Sequence, residues 1–254
     1  MTVQPYIPSG GIAGKLVRMN ARLRARRPMT FALDRPVVSI TFDDFPRSAV
    51  THGRAALGKR GWLGTWYAAA GFTGENTHHG AMMTRDDIRA LAEAGHEIAC
   101  HTHSHTDSAR TPVDALLADI DRNAEALRQA AADVKLENYA FPYGEASPAS
   151  KSALQARFST LRGVRPGVNR TGDDLNLLKA VGVDGGQDGM DRVLDWIADA
   201  QRKPGWLILY AHDIQDNPTD WGCTPREFEM VLEAVARSGA DVLTVRDAVE
   251  AIGA

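Results

Sequence analysis

The chain alternates short apolar runs with longer segments of helical periodicity. Residues 37–42 form a β-branched and aromatic run that predicts a strand. Residues 48–59 read as a helix with Gly61 beyond it, and 62–69 as a second strand. Residues 85–94 are amphipathic, with Thr84 as cap, Asp87 at the third helical position and Gly95 as stop. A third strand is predicted at 97–100. Thr111-Pro112 then opens a long helix to about Ala131, with Asp114 completing the cap pattern. A strand at 136–141, a helix at 148–157 and a short strand at 159–162 follow. Residues 169–189, with five glycines, predict one short strand between loops. A helix at 190–202 precedes a strong strand at 206–211. Thr224-Pro225-Arg226-Glu227 is a capping box opening a helix to about Ser238, before a last strand at 241–245 and a terminal helix at 247–252.

Seven or eight strands alternating with helices predict an α/β fold, a distorted TIM-like barrel, spanning 36–254 as one catalytic domain. A doubly wound open sheet fits the same alternation. Residues 1–35 read as an N-terminal arm and basic segment. Pro5, Pro8 and the glycines make 1–14 an irregular arm. Lys15, Arg18, Arg22, Arg24, Arg26 and Arg27 make 15–27 a solvated helix face or, alternatively, a contact for an anionic glycan or a membrane surface.

Composition narrows the function. A chain of 254 residues with 44% apolar residues can build a full core. Its net charge of -3 argues against a dedicated nucleic-acid binder. Two cysteines, Cys100 and Cys223, exclude a disulfide-built scaffold. No run is long enough for a transmembrane segment. The start has no basic region followed by an apolar run, so a cytoplasmic location is expected, which favours an oligosaccharide or glycolipid precursor as substrate.

Acids and imidazoles stand just beyond the apolar runs: Asp43 and Asp44 after the first, His101-Thr102-His103-Ser104-His105 after the third, His212-Asp213 after 206–211. In a barrel, strand ends of this kind converge on one face. Adjacent carboxylates diverge, so one can bind a metal while the other addresses a water. Two imidazoles and one carboxylate form a common catalytic zinc shell. Spacing leaves open which two of His101, His103 and His105 take part.

Thr41-Phe42-Asp43-Asp44, the His101–His105 segment preceded by Gly95-His96-Glu97-Ile98, Phe141-Pro142-Tyr143-Gly144 and Leu209-Tyr210-Ala211-His212 together resemble the polysaccharide deacetylase family, metal-dependent carbohydrate esterases with a distorted barrel fold. The resemblance runs from about Val37 to at least Asp213. It implies Asp43 as catalytic base, Asp44, His101 and His105 as ligands of one divalent ion (zinc, with cobalt, nickel or iron as alternatives), and His212 as general acid. It also implies an N-acetylated carbohydrate as substrate, with Tyr143 contributing to the oxyanion or substrate site. The expected activity is removal of N-acetyl groups from an amino sugar. The alternatives are hydrolysis of another linear or cyclic amide, or a non-catalytic metal- or glycan-binding module. One departure stands out: the arginine of the family's third segment is Ala140 here. Arg162 and Arg165 are candidates to replace it, with substrate contact an equal alternative for each. The family's aspartate-tryptophan segment is not evident; Asp195-Trp196 falls in a predicted helix, and Asp184 is a second possibility. Trp221 is a candidate sugar-stacking residue, as are Trp66 and Trp206, although Trp206 begins a strand and reads more simply as core. His78 and His79 occupy a loop beside Gly71 and Gly74, with lining the cleft or no role at all as the alternatives.

Overall fold

The computed structural model describes residues 10–253. In chain order its elements are α1 (Gly11–Leu23), β1 (Val37–Asp43), α2 (Arg47–Gly58), β2 (Thr65–Ala68), β3 (Asn76–Thr77), β4 (Gly80–Ala81), α3 (Arg85–Glu93), β5 (Glu97–Cys100) and α4 (Val113–Ala130), then β6 (Asn138–Ala140), α5 (Pro148–Leu154), β7 (Thr160–Arg162), β8 (Val181–Gly182), α6 (Gly186–Arg202), β9 (Trp206–Ala211), α7 (Pro225–Arg237), β10 (Asp241–Val242) and α8 (Val245–Ile252). The main sheet is parallel, in the order β7-β6-β5-β2-β1-β9-β8, with β10 also paired to β1. Its two ends approach each other. Backbone bonds Leu161 N–H to Leu175 O, Leu178 N–H to Leu161 O and Gly163 N–H to Leu178 O tie β7 to the segment that leads into β8. The sheet is thus a distorted barrel closed through irregular backbone, in line with the alternation of strands and helices and not with an open doubly wound sheet.

Period-2 alternation sorts each strand's side chains between helices and barrel interior. On the helix side, Phe42 stacks on Trp66 at 3.9 Å between ring centres, within the core formed with α2, α3, α6 and α7. The interior is layered. Thr65 and Asn138 donate to Glu97, and Thr160 donates to Asn138, in one buried row. The first amides of α8 close this row from below: Val245 N–H donates to Thr65 Oγ1 and Arg246 N–H to Glu97. A carboxylate at a helix N-terminus is favourably placed against the dipole. The next interior layer, Tyr67, Ala99, Ala140 and Arg162, lies towards the strands' C-terminal ends. That polar filling leaves the upper face as the place for chemistry.

Three expected features differ. The irregular arm at 1–14 gives way to helix from Gly11 onwards, and residues 1–9 lie outside the described residues. The hairpin β3–β4 carries no periodicity at two residues per strand. The long helix α4 starts without a side-chain cap; the Thr111 hydroxyl donates to Asp107 O instead. The boxes at Thr84–Asp87 and Thr224–Glu227 form as expected.

His96 shows how the interior responds to acid. Its Nδ1 accepts from Gly64 N–H at 2.9 Å, and its ring stands edge-on to Trp66. Burial, aided by the Arg54 charge, pulls its pKa down to about 4. The folded state therefore holds His96 neutral while the unfolded chain protonates near its ordinary value, about 6.5. The stability this provides is complete above that value and is lost as pH falls towards the folded pKa. His96→Gln retains an acceptor for Gly64 and should flatten the decline in Tm of the metal-free protein between pH 6.5 and 4. Melts with identical pH slopes for both proteins would remove this assignment.

Candidate active site

Each chemical group stands where a strand runs out. β1 ends in Asp43, and the chain then turns through Asp44 and Phe45 at φ 54° and 22°. The left-handed region is costly for most residues but more accessible to aspartate, and here it splays the two carboxylates apart. Asp43 points into the barrel. Arg162 Nη2 donates to its Oδ1 at 2.5 Å and its Oδ2 at 2.6 Å. The guanidinium lies between the rings of Tyr67 and Tyr210, 4.8 and 5.2 Å from their centres. Burial acts to raise the Asp43 pKa, but Arg162, then His101 and His212, outweigh it and hold the carboxyl below its ordinary value. Arg162 is fully buried and its contact is with the Asp43 carboxylate, the orienting role expected for a replacement arginine, and not with the surface a substrate would meet. Parallel register pairs Ala140 with Arg162. The cation missing from β6 is supplied by the adjoining position of β7. Arg165 lies beyond, where its carbonyl accepts from Ala180 N–H.

Asp44 faces the imidazoles. His105 Nε2 lies 3.5 Å from its Oδ2, and His101 Nε2 3.9 Å from its Oδ1. His101 presents Nε2 because its Nδ1 is engaged by Ala140 O at 2.8 Å. Burial lowers the pKa of His101 to about 4 and that of His105 to about 3, so both rings are neutral, the form that binds a metal. Asp44 Oδ1 is buried and has no hydrogen-bond partner. Two ligands at tetrahedral zinc stand about 3.3 Å apart, from bond lengths near 2.0–2.1 Å. The separations seen are slightly wider, too long for hydrogen bonds, and suit a shared divalent ion. The donor set Asp44, His101 and His105 therefore fits a metal. His103 turns away: its N–H donates to Asp119, and its ring lies against Gly71 and Ser104.

His212 follows β9, half-buried, with Nδ1 3.3 Å from Trp221 O. One of the two loop histidines joins it. His79, from the tight turn between β3 and β4, stacks on the His212 ring at 5.1 Å. Its Nδ1 bonds buried Asp213 Oδ1 at 2.8 Å. Asp213 also accepts from Thr219 N–H, the Thr219 hydroxyl and the Gln215 amide. Those bonds overcome burial and hold its pKa well below the carboxylate range. Asp44, His79 and His212 form a second group with ligand atoms within 4.8 Å of one another, overlapping the first at Asp44. Gly222 lets the turn from Thr219 close over Asp213, since a Cβ there would stand 2.5 Å from Asp213 O.

Tyr143 sits at φ 59° in the Pro142–Gly144 turn, its ring 4.4 Å from that of His105. Gly144 is required behind it: φ is 68°, and a Cβ would meet Val164 at 2.3 Å. Trp221, 44% exposed, lies edge-on to His78 and His79 at the rim. Trp66 and Trp206 are buried, which removes them as sugar-stacking surfaces. Asp184 pairs with Arg192 at 2.5 Å, and Trp196 packs against the core from α6. Cys100 and Cys223 are buried free thiols.

A family model described as Polysaccharide deacetylase matches residues 32–159. No curated protein matches the chain. Among solved structures, the chain is similar to a family 4 carbohydrate esterase from Bacillus anthracis, at 14% identity and TM-score 0.60, over 96% of this chain and 95% of that one. A family 4 acetyl xylan esterase from Clostridium thermocellum in complex with a cobalt ion matches at 19% identity and TM-score 0.60, over 85% and 92%. A CE4 family pseudoenzyme from Bacillus anthracis matches at 13% identity and TM-score 0.60, over 87% and 68%. At these identities the likeness is one of fold.

Proposed function

Since the chain belongs to the polysaccharide deacetylase family, we propose that it is a metal-dependent hydrolase that removes N-acetyl groups from amino sugars of an oligosaccharide or polysaccharide. The observation that carries this reading is the pairing of a buried, ionised Asp43 with the Asp44–His101–His105 group at the same strand ends. A carboxylate kept ionised beside a metal-ligand group is what activation of a water requires. A divalent ion held by Asp44, His101 and His105, for which zinc is our choice, supplies Lewis acidity towards an acyl oxygen and lowers the pKa of a water.

The residues divide the remaining work. Asp43 takes the proton of the attacking water, and Arg162 keeps its carboxylate charged and aimed. The Tyr143 backbone N–H is assigned to the oxygen on which negative charge develops. His212 gives a proton to the departing amine nitrogen, so that the carbon–nitrogen bond breaks to leave a free amine and acetate. Trp221 is assigned to the sugar at the rim, where an exposed indole face offers stacking area.

Acetate release from N-acetylglucosamine oligomers tests the reading. Chelation should abolish release and zinc or cobalt should restore it. His105→Ala should weaken metal binding by at least about 100-fold, the upper end of what losing a mere supporting partner costs. A protein that binds one metal ion per chain yet releases no acetate from any oligomer would sink the glycan reading and direct the search to other amides.

A further inference from the structure

The first described helix has an apolar face that no other described residue covers. Ile12, Leu16, Met19 and Leu23 follow at spacings of four, three and four, and form one stripe exposed by 79%, 53%, 50% and 70%. Such spacing aligns side chains along one helix face. The helix is fixed in place by its other side. Ala21 is buried, and Lys151 Nζ reaches Ala21 O at 2.7 Å, Arg24 O at 2.9 Å and Asp174 at 2.7 Å. Arg18 pairs with Glu145 at 2.9 Å, two residues beyond Tyr143, so the helix abuts the loop of the candidate site.

Charge says what belongs on the stripe. The chain carries a net charge of -3, yet no acid occurs before Asp34, while Lys15, Arg18, Arg22, Arg24, Arg26 and Arg27 all precede it. Lys15 and Arg22, one heptad apart and exposed, run along the flank of the stripe. An apolar stripe bordered by cations is the pattern of a helix lying in a lipid interface, with the cations at the headgroups. We propose that α1 docks this protein onto an anionic bilayer surface, laying Ile12, Leu16, Met19 and Leu23 among the acyl chains. A second copy fits less well, because two such surfaces face to face would bring like charges together. A polyanionic glycan would meet the cations and leave the stripe in water. The helix cannot span: its 13 residues make about 20 Å at the usual rise, and among the described residues no helix is long and apolar enough to cross a membrane.

Vesicle co-sedimentation of the full chain tests this. The protein should partition onto phosphatidylcholine vesicles containing phosphatidylglycerol and not onto pure phosphatidylcholine. Lys15→Gln with Arg22→Gln should lower partitioning about 25-fold, since each surface cation contributes about a factor of five. Leu16→Glu with Met19→Glu should abolish it. Both variants alter exposed side chains and should keep the wild-type Tm and acetate release, so the outcome is separate from that of the proposed activity. Several results would overturn the proposal: equal partitioning onto both vesicles, none onto either, or a dimer in sedimentation equilibrium that Leu16→Glu with Met19→Glu disperses. Binding that arises only after removal of residues 1–9 would overturn it too, by making that segment the natural cover.

Discussion

Asp43→Asn should lower kcat for acetate release by about 100- to 10,000-fold, the usual contribution of a positioned acid–base group, while leaving metal stoichiometry unchanged. The substitution keeps the shape of the side chain and removes its basicity. Asp44, His101 and His105 form a separate contact set, with Asp44 turned to the imidazoles and Asp43 to Arg162, so the ion should stay in place. The same change leaves Arg162 facing a neutral amide in a fully buried setting, which lowers stability. Melting curves recorded beside the kinetics keep the two effects apart. Full metal occupancy, a folded protein and activity within tenfold of wild type would together contradict the role of base. Full occupancy with lost activity would separate this chain's ligands from its proton acceptor, a distinction that adjacent residues make hard to draw from sequence.

What was legible in the sequence follows from what parallel strands do. An apolar run ended by an acid or an imidazole marks a strand end, and a closed parallel sheet gathers such ends on one face. Asp43, Asp44, His101, His105 and His212 come together for that reason. Spacing alone leaves His103 and His105 equivalent and the family resemblance selects His105; the backbone gives the physical reason, since Thr102 and His105 adopt positive φ and Asp119 holds the His103 amide. His79 could not be found by periodicity, because strands of two residues have none. The sequence signal was on the partner: Asp213, next to a site histidine and two residues past a buried strand, required something to neutralise or bond it. The stripe on α1 is masked in the sequence for a different reason: cations interleave with Ile12, Leu16, Met19 and Leu23, and only the helical turn brings those four onto one face.

Arg162→Ala should move the acid limb of the kcat/KM profile to higher pH by about 1 to 3 units, the size of the effect of a close opposite charge. The sign follows from the two influences on Asp43. Burial pushes its pKa up and Arg162 is the largest force pulling it down; without the guanidinium, burial prevails, and the base is protonated at pH values where the wild type is ionised. Breaking a buried ion pair by removing one partner typically costs about 3–5 kcal/mol, so this variant will be less stable, and Arg162→Lys is the necessary companion. A lysine keeps the charge but not the planar group that sits between the Tyr67 and Tyr210 rings and anchors Nη1 on Gly163 O, and its limb should fall between those of wild type and Arg162→Ala. A merely structural arginine would lower Tm in both variants and leave the limb of the remaining activity where it was. The register gives a stricter test. Because Ala140 stands beside Arg162 on the neighbouring strand, the double change Ala140→Arg with Arg162→Ala returns a cation to the same interior layer and should bring the limb part of the way back towards the wild-type position. Failure of that transfer, with a folded protein, would mean that the approach direction of the guanidinium, between Tyr67 and Tyr210, matters as much as its charge.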